Sequence, residues 1–416
     1  MRISAVRITP IAVPDVPILN TKGVHGGVFL RAIIELETDK GDVGLSETYG
    51  AIRTLSGLQK AADALLGLDP FHLNALAGRI AAALPGAGGI NGPTMLADHK
   101  LVDVVYGAFE IACLDLQGQA LGRPMSDLLG GAVRESVGYA AYLFYKFAKP
   151  DDQPGEDMFG EVMTPDALVA EAEAFVGDHG FTSLKLKGGV LAPEEEIETL
   201  QKLRKRFPNH PLRIDPMGAW RVETAVQIAP QLNGLLEYLE DPVRGMDAMA
   251  ELAPLIDIPL STNLVVVEAE QVIQAAKNGA AEIILSDHHY WRGATGAIAL
   301  GRICEAAGMG ISMHSNTHLG ISLAAMTHVA AATPNPTYDC DTHYPWTRHD
   351  VIQGGKLRFE NGHLAVPTKP GLGVTLDRDA MAELHALYLE TQTRDRDDTD
   401  EIRRYIPDYV RQVPRW

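Results

Sequence analysis

Between Thr164 and His314 the chain alternates short apolar runs with stretches of helical spacing. The runs are FTSLKLK, LRID, LLEYLED, IPLSTN, EIILSD and MGISMH, and each closes on a polar residue or pair: Lys185 and Lys187, Asp215, Glu240, Asn263, Asp287 and His314. From Lys187 onward these ends are spaced by 28, 25, 23, 24 and 27 residues. That is about the length of a strand, a loop, a helix and a second loop. Repeated βα units predict a parallel sheet covered by helices. In a β/α barrel the C-terminal strand ends form the active-site face. A doubly wound sheet would gather its active residues at one switch point, not on six consecutive strands. The first helix of the series is signed by Thr164 as N-cap, Pro165 in its first turn and Gly180 past its end.

The chain before Thr164 reads differently. Residues 1–50 alternate apolar with polar positions and predict strands, with the glycine-bearing loop PDVPILNTKGVHGG between the first two. Residues 57–130 predict helices. In ADHKLVDVVYGAFEIACLDLQGQALG an apolar stripe of helical spacing ends at Gly122, with Pro124 beyond. Strands followed by a helical block predict an α+β first domain. An acidic loop, KFAKPDDQPGEDMFGEVM, separates it from the repeats.

The polar strand ends form a chemical set. Asp215, Glu240 and Asn263 end three consecutive strands. One carboxylate at such a place would as readily cap a loop, but three in register supply oxygen ligands for a hard divalent cation such as Mg²⁺. Lys185 and Lys187 are two apart on one strand, so both ammonium groups face one side while Leu184 and Leu186 face the other. Two lysines so placed are expected to lower each other's pKa, which suits a general base. Asp287 and His314 end neighbouring strands, where the carboxylate could orient the imidazole. His288, His289 and His318 lie close enough in sequence that spacing alone does not choose the acting histidine. A cation with unlike bases on opposite sides of a barrel mouth suits removal of a proton next to a carboxylate.

Composition narrows the partners. The 416 residues carry 36 Lys and Arg against 54 Asp and Glu, a net charge of −18. That balance disfavours duplex nucleic acid and anionic membranes. No apolar run approaches the ~20 residues of a membrane span. The three cysteines form no CxxC pair, and reduced thiols in a cytoplasmic protein are expected.

The ordered series FTSLKLKGGVLAPEEE, IDPMGAW, YLEDP, STN, MHSNTHLGISLAAMTHVAAATP and CDTHYPW resembles the glucarate dehydratase group of the enolase superfamily. GDVGLSE, LGRPMSDLLGG and PGLGVTLD are wording general to that superfamily. The resemblance implies an α/β protein: a (β/α)₇β TIM-like barrel with an α+β N-terminal capping domain completed by the C-terminal segment. The expected division is 1–135 for the cap, 136–375 for the barrel and 376–416 for the returning segment. It implies Mg²⁺ on Asp215, Glu240 and Asn263. Lys187 matches one base and His314 the other, with Asp287 as partner and Lys185 as the enolate-stabilising lysine. His314 also resembles the acid that protonates the leaving β-hydroxyl. His25, Tyr145, Asn316, Asp341, His343 and Arg396 match substrate-contact positions. A homo-oligomer and a dicarboxylate acid-sugar substrate are expected.

Departures stand beside the matches. The group reads DPNGAW where this chain has Asp215-Pro216-Met217, so an amide that could reach the substrate is missing. DPHFW is here Asp287-His288-His289-Tyr290-Trp291, and a threonine expected near Lys100–Val102 is absent. The expected activity is dehydration of glucarate or a related aldarate. A racemase or epimerase on the same site is the enzymatic alternative, and a scaffold or binding protein the other.

Overall fold

The computed structural model describes residues 1–85 and 100–416. Part of the helical block expected over 57–130, residues 86–99, lies outside the described residues.

Three long strands, β1 (Ile3–Pro14), β4 (Val28–Thr38) and β5 (Val43–Tyr49), form an antiparallel sheet in the order β1-β4-β5. A two-residue ribbon, β2 (Leu19–Asn20) with β3 (Gly23–Val24), sits in the loop between the first two. Helices α1 (Ile52–Ala62), α2 (Leu73–Ala83), α3 (Leu101–Leu121) and α4 (Met125–Leu128) follow. The apolar stripe of α3 buries Val105, Phe109, Ala112 and Leu116 against Ala32, Ile34 and Leu36 of β4. Gly122 ends α3 in the left-handed region, φ 67°, where glycine carries no Cβ penalty.

The barrel follows. Its strands are β6 (Ser136–Phe144), β7 (Ser183–Lys187), β8 (Leu212–Asp215), β9 (Tyr238–Glu240), β10 (Leu260–Thr262), β11 (Ile283–Ser286), β12 (Gly310–Met313) and β13 (Cys340–Thr342). They run parallel in the order β12-β11-β10-β9-β8-β7-β6-β13. Between β12 and β13 the ring is tied by Thr337 N–H donating to Ile311 O (2.9 Å) and Ser312 Oγ donating to Asp339 O (2.8 Å). A short strand, β14 (His363–Ala365), adds antiparallel to the start of β6.

Helices α5 (Pro165–His179), α6 (Pro193–Arg206), α7 (Val222–Leu232), α8 (Met246–Leu252), α9 (Ala269–Asn278), α10 (Gly293–Ala306) and α11 (Gly320–Ala332) alternate with these strands. In α5 the Thr164 hydroxyl accepts from Ala167 N–H at 3.3 Å, Pro165 opens the first turn, and Gly180 closes at φ 68°. Outward-facing Leu184, Leu186, Leu212 and Ile214 pack in the layer under the helices. Helix α12 (Arg378–Glu390) returns to the cap, where His385 Nδ1 meets Pro10 O at 2.6 Å and Arg378 pairs with Glu35 at 2.6 Å. A last turn, α13 (Asp398–Glu401), lies against β3. Among the described residues no helix is long and apolar enough to cross a membrane.

Candidate active site

Strand alternation and parallel register place the chemistry. β7, β8 and β9 end on Lys187, Asp215 and Glu240, while Asn263, Asp287 and His314 each stand one residue past β10, β11 and β12. All six therefore ring the C-terminal face, and their backbones are fixed by neighbouring ladders such as Lys187↔Asp215 and Ser261↔Glu240. The lysines are not on a sheet edge, because β7 lies between β6 and β8.

Asp215, Glu240 and Asn263 are each at most 1% exposed. Asp215 contacts Lys187 through one oxygen and accepts from Met217 N–H (2.9 Å) through the other. Glu240 Oε1 and both side-chain atoms of Asn263 have no hydrogen-bond partner. Leaving such atoms unbonded in the interior is costly. A hard cation bound through oxygen satisfies carboxylate and amide oxygens together, so the donor set fits Mg²⁺. The Asn263 backbone is held by Asp241, whose Oδ2 accepts from the amides of Asn263 (2.9 Å) and Leu264 (3.1 Å).

The expected mutual lowering of the lysines is overturned at Lys185. Burial would lower its pKa, but Asp341, Glu240 and Asp215 surround the ammonium and carry it above its ordinary value. Its Nζ contacts Glu240, lies 2.6 Å from Asp341 Oδ2 and donates to the Tyr142 hydroxyl at 3.2 Å. Tyr142 in turn donates to Asp341 Oδ2 at 3.0 Å. Asp341 is thus part of the floor that fixes Lys185.

Opposite the lysines, Asp287 divides its carboxylate. Oδ2 lies 3.1 Å from His314 Nδ1, while Oδ1 accepts from the His289 backbone amide and meets His289 Nδ1, both at 2.8 Å. Burial would raise the Asp287 pKa, but the imidazoles of His289 and His314 hold it well below the usual carboxylate range. His288 and His318 are buried neighbours whose pKa values burial pushes well below that of a free histidine.

Above this floor lies a cavity of about 480 Å³. Lys187 and His314 both reach it, as do His25, Asn316, His343, Arg396 and Met217. Its walls come from the cap loop, the strand ends and the tail between Thr393 and Val413. Lys22, Arg244 and Arg411 also line it, so the cavity is rich in cations within an acidic protein. His25 Nδ1 lies 2.8 Å from Asp15 Oδ2, and burial pushes the His343 pKa down to about 3. Arg396 makes a two-pronged pair with Asp398, which also accepts from Asn20 Nδ2 at 2.8 Å.

Tyr145 departs from its expected place. Alternation along β6 turns Tyr142 and Phe144 toward the cavity, whereas Tyr145 donates to Thr199 of α6 at 2.8 Å and does not line it. Lys100, where a threonine was expected, is buried and donates to Val267 O (3.0 Å) and Asp103 (2.7 Å). Sequence reasoning passed over Tyr142, Asp15, Asp241 and Asp398. The signal for Tyr142 was its place two residues before Phe144, and for Asp398 its place two after Arg396.

Met217 has φ 51°, in the left-handed region where a residue other than glycine, asparagine or aspartate is uncommon. Its backbone N–H donates to Asp215 Oδ1, which holds it there at the edge of the cavity.

Known proteins share this architecture. The enolase C-terminal domain-like family matches residues 167–380. A probable glucarate dehydratase of Streptomyces coelicolor is 47% identical over 430 residues, covering 100% of this chain and 99% of the relative. A crystal structure of an enolase from Mycobacterium smegmatis complexed with tartrate superposes with a TM-score of 0.95 at 50% identity, covering 100% of this chain and 98% of that one. An enolase from Thermobispora bispora complexed with magnesium and formate gives a TM-score of 0.96 at 48% identity, covering all of both chains. With its eightfold parallel ring and antiparallel cap, this chain belongs to the enolase superfamily.

Proposed function

We propose that this protein is a Mg²⁺-dependent hydro-lyase that dehydrates a dicarboxylate acid sugar, glucarate or a related aldarate. The observation that carries the reading is the placement of two unlike bases, Lys187 and His314, on one cation-rich cavity above a buried oxygen-ligand set. The 47% identity to a probable glucarate dehydratase supports the same substrate class.

Asp215, Glu240 and Asn263 would hold the cation, which supplies positive charge against the carboxylate whose neighbouring carbon loses a proton. Lys187 or His314 accepts that proton, according to the face it occupies. The C–H electrons pass into the enediolate, and Lys185 places a fixed ammonium beside the developing charge. The β-carbon–oxygen bond then breaks, His314 delivers a proton to the departing hydroxyl, and water leaves. The remaining enol becomes a 2-keto-3-deoxy acid. Asp287 keeps His314 oriented with Nε2 free for both transfers. Met217, in place of an amide, supports an aldarate whose stereochemistry differs from glucarate at the position it faces.

Incubating the purified protein and Mg²⁺ with a panel of aldarates and aldonates tests this. A keto-deoxy acid from at least one dicarboxylate is expected. Proton exchange without elimination for every member would replace the reading with an epimerase, and neither outcome would leave a binding protein.

A further inference from the structure

Behind the Asp287–His314 pair a line of buried polar groups runs into the cap. His289 meets Asp287 with Nδ1, and its Nε2 faces Arg31 Nη2 at 3.2 Å and Ser322 Oγ at 3.0 Å. Arg31 comes from β4, donates through Nε to Glu47 of β5 at 2.6 Å and through Nη2 to Ser322 at 3.0 Å. Glu47 also accepts from the amides of Leu319 and Ser322 at the start of α11, both at 2.9 Å. The Ser322 hydroxyl donates onward to Glu47 O at 3.1 Å. Arg31 is 0% and Glu47 4% exposed, and the guanidinium lies 5.2 Å from the Tyr49 ring centre.

Donor logic fixes the protons. A guanidinium has only donors. The Asp287 carboxylate only accepts, which puts the His289 ring hydrogen on Nδ1, pointed at Asp287 Oδ1, and the Arg31 donor 3.2 Å from Nε2 opposes a second hydrogen there. The Arg31 charge also makes this an unfavourable place for a metal, although Asp287, His289 and His318 are close enough to hold one. We propose that Arg31 and His289 are positioning residues: the cap sets the tautomer of His289, which anchors one Asp287 oxygen and leaves the other for His314. The role in turnover rests on the dehydratase reading; the tautomer does not.

Histidine-selective ¹⁵N labelling of the full chain reads the tautomer, with the His289 signals assigned by their loss in H289N. Protonated Nδ1 and bare Nε2 are expected, with R31K mixing the two forms. A proton on Nε2 overturns the proposal whether or not any sugar is turned over. Exchange of the substrate α-proton with ²H₂O, in the Mg²⁺-loaded protein, is then compared for acid sugars epimeric at that carbon. H289L is expected to slow exchange on the order of 100-fold for the epimer served by His314 and to leave the other within about threefold. H289N keeps an N–H for Asp287 and should stay within about tenfold of the parent. Adding R31K to H289N should cost nothing further, because an amide has no tautomer to set. Equal losses for both epimers, or the same R31K cost with and without H289N, would make both residues structural supports and overturn the proposal. No exchange in the unaltered protein would sink the dehydratase reading and leave the ¹⁵N result to decide this one.

Discussion

Lys185 of β7 and Asp341 of β13 meet across the strand between them, with Nζ 2.6 Å from Oδ2 and the Tyr142 hydroxyl of β6 bonded to both. A buried charge that loses one of several partners costs less than one left bare. D341N should destabilise by about 1.5–3 kcal/mol, because Lys185 keeps Glu240. K185M should cost more, about 3–5 kcal/mol, since Glu240 loses its contacting ammonium while Asp341 is left with the longer pair with Arg213 at 3.7 Å. Denaturant unfolding of both variants would check the order; equal costs would show that Glu240 contributes nothing to holding the lysine.

Lys187 and His314 are expected to be separable. K187A and H314N should each lower keto-acid formation by roughly 10²–10⁴-fold, the usual worth of a positioned acid or base. H314N should slow elimination by that factor for every substrate yet preserve α-proton exchange for the epimer facing Lys187. Turnover unchanged in both variants would remove these residues from the mechanism.

Chelation should abolish turnover, and Mg²⁺ should restore it and raise the melting temperature, because binding satisfies Glu240 Oε1 and Asn263. N263A should weaken the Mg²⁺-dependent rise. A melting curve indifferent to Mg²⁺ at millimolar concentration would argue against this ligand set.

The contribution of Glu110 to stability should fall as pH rises through the weakly acidic range. Burial lifts Glu110 from 4.5 to about 7, against the pull of Thr295 and the first amides of α10. Between those values the folded state binds more protons than the unfolded one, so its contribution to stability declines with rising pH and is fully lost above about 7. Glu196, also lifted to about 7 by burial, adds the same sign. Urea midpoints measured from pH 5 to 8 should show the parent losing stability relative to E110Q as pH rises.

M217N should relieve backbone strain by about 1 kcal/mol, since asparagine tolerates φ near 51° better than methionine. It should also change the ratio of kcat/KM values among aldarate stereoisomers, because the side chain lines the cavity. A stabilised variant with an unaltered ratio would separate the strain from substrate choice.

Much of this was legible because a barrel repeats. The spacing from Lys187 to His314 marked six strand ends, and all six stand at or one residue past a strand. β6 and β13 escaped the periodic reading for different reasons. The long loop after Phe144 breaks the repeat before it starts, and Cys340–Thr342 is a three-residue strand with a carboxylate at its centre. In the sequence the lysine pair stands as two repelling charges, because the carboxylate that most closely holds Lys185 is distant: Asp341 lies 156 residues away. Tyr145 was misjudged by a single step of strand alternation. The cap contribution, Arg31 and Glu47, carries no motif, since its meaning depends on a histidine 258 residues away.

The cavity takes part of its wall from residues 393–413, which follow every barrel strand in the chain. A ribosome makes the barrel, both bases and the cation ligands long before it makes that wall. A nascent chain stalled before Thr393 would own the reactive groups without an enclosed site, so chemistry on the acid sugar should begin only once the tail has emerged and docked.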